Sequence, residues 1–229
     1  MSALPPDEAL SPRDRERQDE TPDAQFYADP RLVAHIDEQA IATVTALYHT
    51  LLAPLSPDGR VLDLMSSRYS HLPTDVALAE IVGLGMNADE LAENPQLTSW
   101  TVHDLNQEPN LPFEDESFDA VVNTVSVQYL LQPTAVFRDV ARILKPGAPS
   151  IVVFSNRMFP TKAIRAWRAR DDQGHIALVT RYFAASGAYD EPPEVIIRPG
   201  KPGGWFAAAG DPIYAVVGRK RRPQSPSTN

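Results

Sequence analysis

Cysteine is absent from the 229-residue chain, which excludes disulfides, thiolate metal sites and cysteine nucleophiles. That absence is compatible with any compartment and leans toward the cytoplasm. No stretch approaches the ~18 apolar residues of a membrane span, and the acidic, proline-rich N-terminus is no secretory signal. Basic residues are also scarce: 21 Lys and Arg stand against 30 Asp and Glu, for a net charge of −9. Such a balance leaves no electrostatic footprint for nucleic acid. The one basic run, Arg219-Lys220-Arg221-Arg222, precedes a Pro/Ser tail and reads as a solvated terminus. The five histidines show no ligand spacing, so no metal site is expected.

What remains has the composition of a globular protein, with 43% hydrophobic and 22% charged residues. Residues 1–22 carry Pro5, Pro6, Pro12 and Pro22 among many charges and predict a disordered leader. A single domain is expected over 23–218, with a flexible basic and polar tail over 219–229.

Within that domain the apolar pattern alternates between two periods. Leu32, Val33, Ile36, Ala40, Thr43, Val44 and Leu47 recur at spacings of three and four and predict a helix from Pro30, stopped by Pro54 and the turn at 56–59. Short apolar runs predict strands at 60–64, 80–84, 98–102, 118–125 and 150–154. Helices are expected at 75–79, 88–94 and 133–144, the last ended by Lys145-Pro146-Gly147. Two more helices, over 161–170 and 176–185, are followed by strands at 194–197 and 213–217. The alternation predicts an α/β, doubly wound and mostly parallel sheet with an antiparallel C-terminal hairpin.

Three segments carry a family resemblance. Val61-Leu62-Asp63-Leu64 is similar to a first strand; Asp104 followed by Leu111-Pro112-Phe113-Glu114-Asp115-Glu116-Ser117-Phe118-Asp119 is a second match; Val140-Ala141-Arg142-Ile143-Leu144-Lys145-Pro146-Gly147 is the third. In this order they resemble the class I S-adenosylmethionine (SAM) dependent methyltransferases, small-molecule branch, near the ubiquinone/menaquinone enzymes. The resemblance implies a Rossmann-like fold, SAM as cofactor and methyl transfer to a small-molecule acceptor.

It also implies site residues. Asp63 would reach the cofactor's amino group, and Asp104, flanked by His103 and Leu105, would meet the adenine. Two departures stand out. The loop Met65-Ser66-Ser67-Arg68-Tyr69-Ser70-His71-Leu72-Pro73 has no glycine where the family has a glycine-rich turn, so its hydroxyls replace backbone donors or merely cap and line a degenerate pocket. The acid that ends the family's second strand falls on Gly85, leaving Asn87 or Glu90 for the ribose and Met86 for the adenine face. On the acceptor side the candidates are Ser126, Gln128, Tyr129, Asn156 and Arg157, with Trp167 and Arg168 as lid or surface. His35 and Tyr129 are the candidate catalytic groups, since His titrates near neutrality. A catalytically inactive or repurposed binding module is the alternative. A nicotinamide oxidoreductase would need the G-x-G-x-x-G that this chain lacks.

Overall fold

Among the described residues, short runs of apolar residues bounded by polar turns make seven strands, and all seven join one sheet. The structure, a computed structural model, describes residues 7–55, 57–202 and 210–223. Helix α1 (Asp23–Phe26) and helix α2 (Glu38–Leu52) precede β1 (Arg60–Leu64) and β2 (Glu80–Gly85). Then come α3 (Ala88–Ala92), β3 (Ser99–Val102), β4 (Ala120–Thr124), α4 (Pro133–Ile143) and β5 (Pro149–Phe154). The chain closes with α5 (Arg165–Arg168), α6 (Asp172–Ser186), β6 (Glu194–Arg198) and β7 (Ile213–Arg219).

The strand order is β3-β2-β1-β4-β5-β7-β6, parallel from β3 to β5 and antiparallel through β7 and β6. The expected doubly wound sheet and its closing antiparallel pair are therefore both present. Strands β1, β4, β5 and β7 are buried along nearly their whole length, as a sheet covered on both faces requires. One core packs α4, α6 and the 3₁₀ turn Val127–Tyr129 on one face; the other packs α2 on the opposite face. The order reverses between β1 and β4, which opens a crevice at their carboxyl ends.

Four expectations are corrected. The first helix begins at Glu38 rather than Pro30, because the Asp37 carboxylate accepts from Ala40 N and caps it, while Leu32 and Val33 stay exposed in the segment before it. No helix forms over 75–79: the segment after β1 is an extended loop, pinned where the Gln96 side chain both donates to and accepts from the Leu72 backbone. The helix expected over 161–170 shrinks to α5, and Trp167 is no lid residue, since it is fully buried and stacked on His175 at 4.0 Å.

The fourth correction concerns the termini. Residues 7–22 of the expected disordered leader are packed against the domain. Ala9 and Leu10 enter the core, and the Asp7 carboxylate accepts from the backbone and hydroxyl of Thr134 at the start of α4. Arg17 pairs with the buried Asp23, and the backbone of 16–19 bonds to Thr161 and Arg165, which offsets the ordering cost that the composition implied. The basic run is likewise docked as far as it is described. Lys220 Nζ donates to Leu144 O at 2.7 Å, and Arg221 donates to Gly187 O and Tyr189 O. Both cations thus sit at the carbonyl-rich C-terminal ends of helices. The first six residues of the leader, Ser56 of the predicted turn and residues 224–229 of the tail lie outside the described residues.

Candidate functional site

A cavity of about 390 Å³ opens at the strand-order reversal, within the range of small-molecule sites. Its wall brings together Asp63, Met65, Ser66, Ser67, Gly85, Met86, Asn87, Asp104, Leu105, Ser126, Tyr129, His35 and Arg157, as the sequence predicts. Gln128 and Asn156 do not line it. Gln128 is buried with its amide donating to Val125 O at 2.8 Å, so it shapes the turn after β4. Asn156 is exposed, and its Oδ1 accepts from Ser155 Oγ at 3.2 Å. Arg68 is also drawn elsewhere, onto the Glu93 backbone carbonyl and carboxylate at the end of α3.

The glycine-free loop solves its turn in an unusual way. Met65 itself takes the left-handed conformation, with φ of 59°, that a glycine would adopt without strain. The chain then runs across β2: Ser66 N donates to Leu84 O at 2.8 Å, and a Cβ on Gly85 would lie 2.2 Å from Ser66 O. The close approach that the loop lacks glycine to make is thus made by a glycine on the neighbouring strand. The two departures from the family pattern are one structural change, because an acid at position 85 would collide with the loop.

Acidic groups converge on this side. Asp63 is buried and accepts from Ser66 Oγ at 2.5 Å; burial pushes its carboxyl up to about 6. Glu90, on the first turns of α3, lies beneath the loop and accepts from Ser67 Oγ at 2.5 Å and from Arg31 N at 2.6 Å. Asn87 has no free polar group to offer a ligand. Its oxygen caps α3 through Asp89 N and Glu90 N, and its amide donates to Tyr27 O and Ala28 O. Asp104 accepts from Asn106 N at 2.9 Å, and burial raises its carboxyl above the usual range.

The far side is built from β4, the loop after β5 and the N-terminal segment. Val125, a β-branched residue, closes β4 with φ of 47°, a strained conformation of the kind that concentrates at functional sites. Tyr129 is buried, and its hydroxyl accepts from Phe159 N at 2.7 Å. Arg157 pairs with Asp211 at 2.7 Å; Asp211 in turn accepts from Asp37 N at 3.0 Å. His35 packs edge-on against Phe159, and burial lowers its pKa; His71, also on the wall, is pushed down to about 4. Both imidazoles are therefore neutral at pH 7.

Sequence reasoning missed Asp23, Arg31, Asn106 and Phe159 as wall residues. Asp23 accepts from Arg17, Asn106 and Lys162, the last fully buried. No local signal reveals such a cluster, since its members run from Arg17 to Lys162, 145 positions apart. Among the described residues no three His, Asp or Glu side chains converge as metal ligands.

Comparison with known proteins points the same way. Residues 59–152 match the family described as a methyltransferase domain. A malonyl-[acyl-carrier protein] O-methyltransferase from a Marinomonas species is 32% identical over 134 residues, which is 58% of this chain and 46% of that protein. The chain spans less than half the length of the curated relatives it matches. Among solved structures, a methyltransferase from Haloferax volcanii in complex with the Trm112 methyltransferase activator superposes with a TM-score of 0.57 at 17% identity, covering 82% of this chain and 92% of that one. Phosphoethanolamine N-methyltransferase 2 of Haemonchus contortus, in complex with S-adenosylhomocysteine, gives 0.56 at 14% identity, covering 79% and 53%.

Proposed function

We propose SAM-dependent methyl transfer to a small-molecule acceptor, in the cytoplasm and without nucleic acid, for a chain whose residues 59–152 match a methyltransferase domain. The observation that carries this reading is the convergence of Asp63, Glu90 and Asp104 from β1, α3 and the turn after β3 on one cavity. SAM is a cation rich in donors, with an ammonium, a ribose diol and an adenine amine, and a wall of acceptors fits that chemistry. The space that a Cβ would fill at Gly85 belongs to the loop, so the cradle is rebuilt rather than lost.

SAM supplies an electrophilic methyl group on sulfur. Asp63 is the acceptor for the ammonium, with Ser66 orienting its carboxylate. Glu90 replaces the missing acid of β2 toward the ribose hydroxyls, with Ser67 orienting it. Asp104 has a second oxygen left for the adenine amine, and Met86 and Leu105 supply apolar contact to the ring. On the acceptor side stand Ser126, Tyr129, His35 and Arg157. His35 or His71, neutral at pH 7, can take a proton from an oxygen or nitrogen acid. Tyr129 serves as a donor rather than a base, because burial raises its hydroxyl's pKa. The packed N-terminal segment excludes water from the reacting groups, and alignment is the main contribution to rate.

The test is production of S-adenosylhomocysteine from SAM with a panel of amines, phenols, thiols and carboxylic acids. Acceptor-dependent product is expected. Tight binding of S-adenosylhomocysteine with no turnover on any acceptor would favour the repurposed binding module instead.

A further inference from the structure

Both ends of the sheet are open edges among the described residues, since the strand order begins at β3 and ends at β6. An open edge offers a row of unpaired backbone donors and acceptors that a further strand can complete. The two edges differ in chemistry. β3 exposes Trp100 and Val102 and carries no charged residue, so nothing in it selects one register over another. β6 reads Glu194-Val195-Ile196-Ile197-Arg198, with one acid and one base at equal distances from Ile196.

That pattern is self-complementary. Proline lacks the donor that a ladder needs, and Pro193 and Pro199 confine pairing to the five residues between them. Antiparallel pairing of two β6 strands about Ile196 is the register that uses the whole strand. It sets Glu194 of each copy opposite Arg198 of the other, on one face of the sheet. Val195 and Ile197, each 43% exposed, meet across the pair on the other face. Opposite charges and apolar side chains directly across two strands both stabilise the pairing. Within the chain the two charges are unused: neither Glu194 nor Arg198 has an ion-pair partner among the described residues, and Arg198 donates to the carbonyl of its neighbour Ile197. Charges on an edge often repel other strands, but here the antiparallel register brings each against its opposite.

The neighbouring surface has the same character. An open groove of about 740 Å³ runs between β6 and α2. Its helical side presents Gln39, Ala42, Thr43, Ala46 and Thr50, and Glu38 is the one Asp, Glu, Lys or Arg among the 15 residues of α2. A helix whose outer face meets only water ordinarily carries charges there. A two-fold axis through the paired strands sets the grooves of both copies side by side. We infer that β6 is the interface of a symmetric homodimer, in which two copies of this chain join their sheets edge to edge and Glu194–Arg198 pairs fix the register. The contact is independent of methyl transfer.

Sedimentation velocity of the whole chain over a concentration series tests it. Wild type is expected to sediment as a dimer at micromolar concentration. Glu194→Arg and Arg198→Glu each set like charges opposite one another twice, and each is expected to weaken dimerisation at least tenfold. Mixing the two variants, or combining both substitutions in one chain, restores opposite pairs and is expected to restore the dimer. A wild type that stays monomeric overturns the proposal. So does a dimer that neither single variant weakens, or a weakening that neither the mixture nor the double variant reverses. Trp100→Glu, on the other edge, is expected to leave the dimer intact; its loss in that variant alone would assign the contact to β3 instead. Thermal melts confirm that each variant is folded.

Discussion

Asp63 shows how a buried carboxyl on the cavity wall sets the local stability of its own strand. Its carboxyl is raised from 3.8 to about 6 by burial, so the folded state holds a proton more tightly than the unfolded chain does. Stability from this group is present below the unfolded value and is lost as pH rises through that window, with a full cost of about 3 kcal/mol above it. Asp63→Asn removes the charge yet keeps an acceptor for Ser66. The variant is expected to melt higher than wild type at pH 7.5, to lose that advantage near pH 4, and to bind S-adenosylhomocysteine more weakly. Melting curves at the two pH values check this. His71 has the opposite slope, since its pKa falls from 6.5 to about 4 and its contribution is lost as pH drops through that range.

At the scale of elements, the N-terminal segment is the part that most changes the site. Lys162, fully buried just before α5, donates to Thr21 O and pairs with Asp23 at 3.1 Å, so it clamps the segment against the cavity. Lys162→Met keeps the volume but removes the clamp. Asp23 retains Arg17 and Asn106, so a loss of about 2 kcal/mol is expected, with faster tryptic cleavage after Arg17 and Arg31. An unchanged cleavage rate would show that the segment is held by Ala9, Leu10 and Asp7 alone.

The same segment marks the limit of what was legible in the sequence. Strands β1, β4 and β5 announce themselves as short, largely apolar runs, and α4 by its spacing and its Lys-Pro-Gly stop. The wall residues next to those strands, such as Asp63 and Asp104, follow from them. The leader's order does not, because its partners Thr134, Thr161 and Arg165 lie more than a hundred positions away. Nor does the absence of a helix over 75–79, which depends on Gln96 reaching back from beyond α3. The sequence shows a glycine at position 85, but the reason for it, the carbonyl of Ser66 overhead, exists only in three dimensions.

For the molecule as a whole, the order 3-2-1-4-5-7-6 puts the crevice between β1 and β4, and the cavity forms there whatever chemistry the loops bring. Among the described residues no helix is long and apolar enough to cross a membrane. We propose that Met65, Gly85 and Glu90 together rebuild a cofactor cradle without the glycine turn or the β2 acid. Titration of the whole chain with S-adenosylhomocysteine by calorimetry, beside Glu90→Gln, tests it most directly. Single-site micromolar binding by wild type, weakened about tenfold by Glu90→Gln (about 1.4 kcal/mol), is the expected result; no heat at millimolar ligand, or equal affinity in the variant, would contradict it.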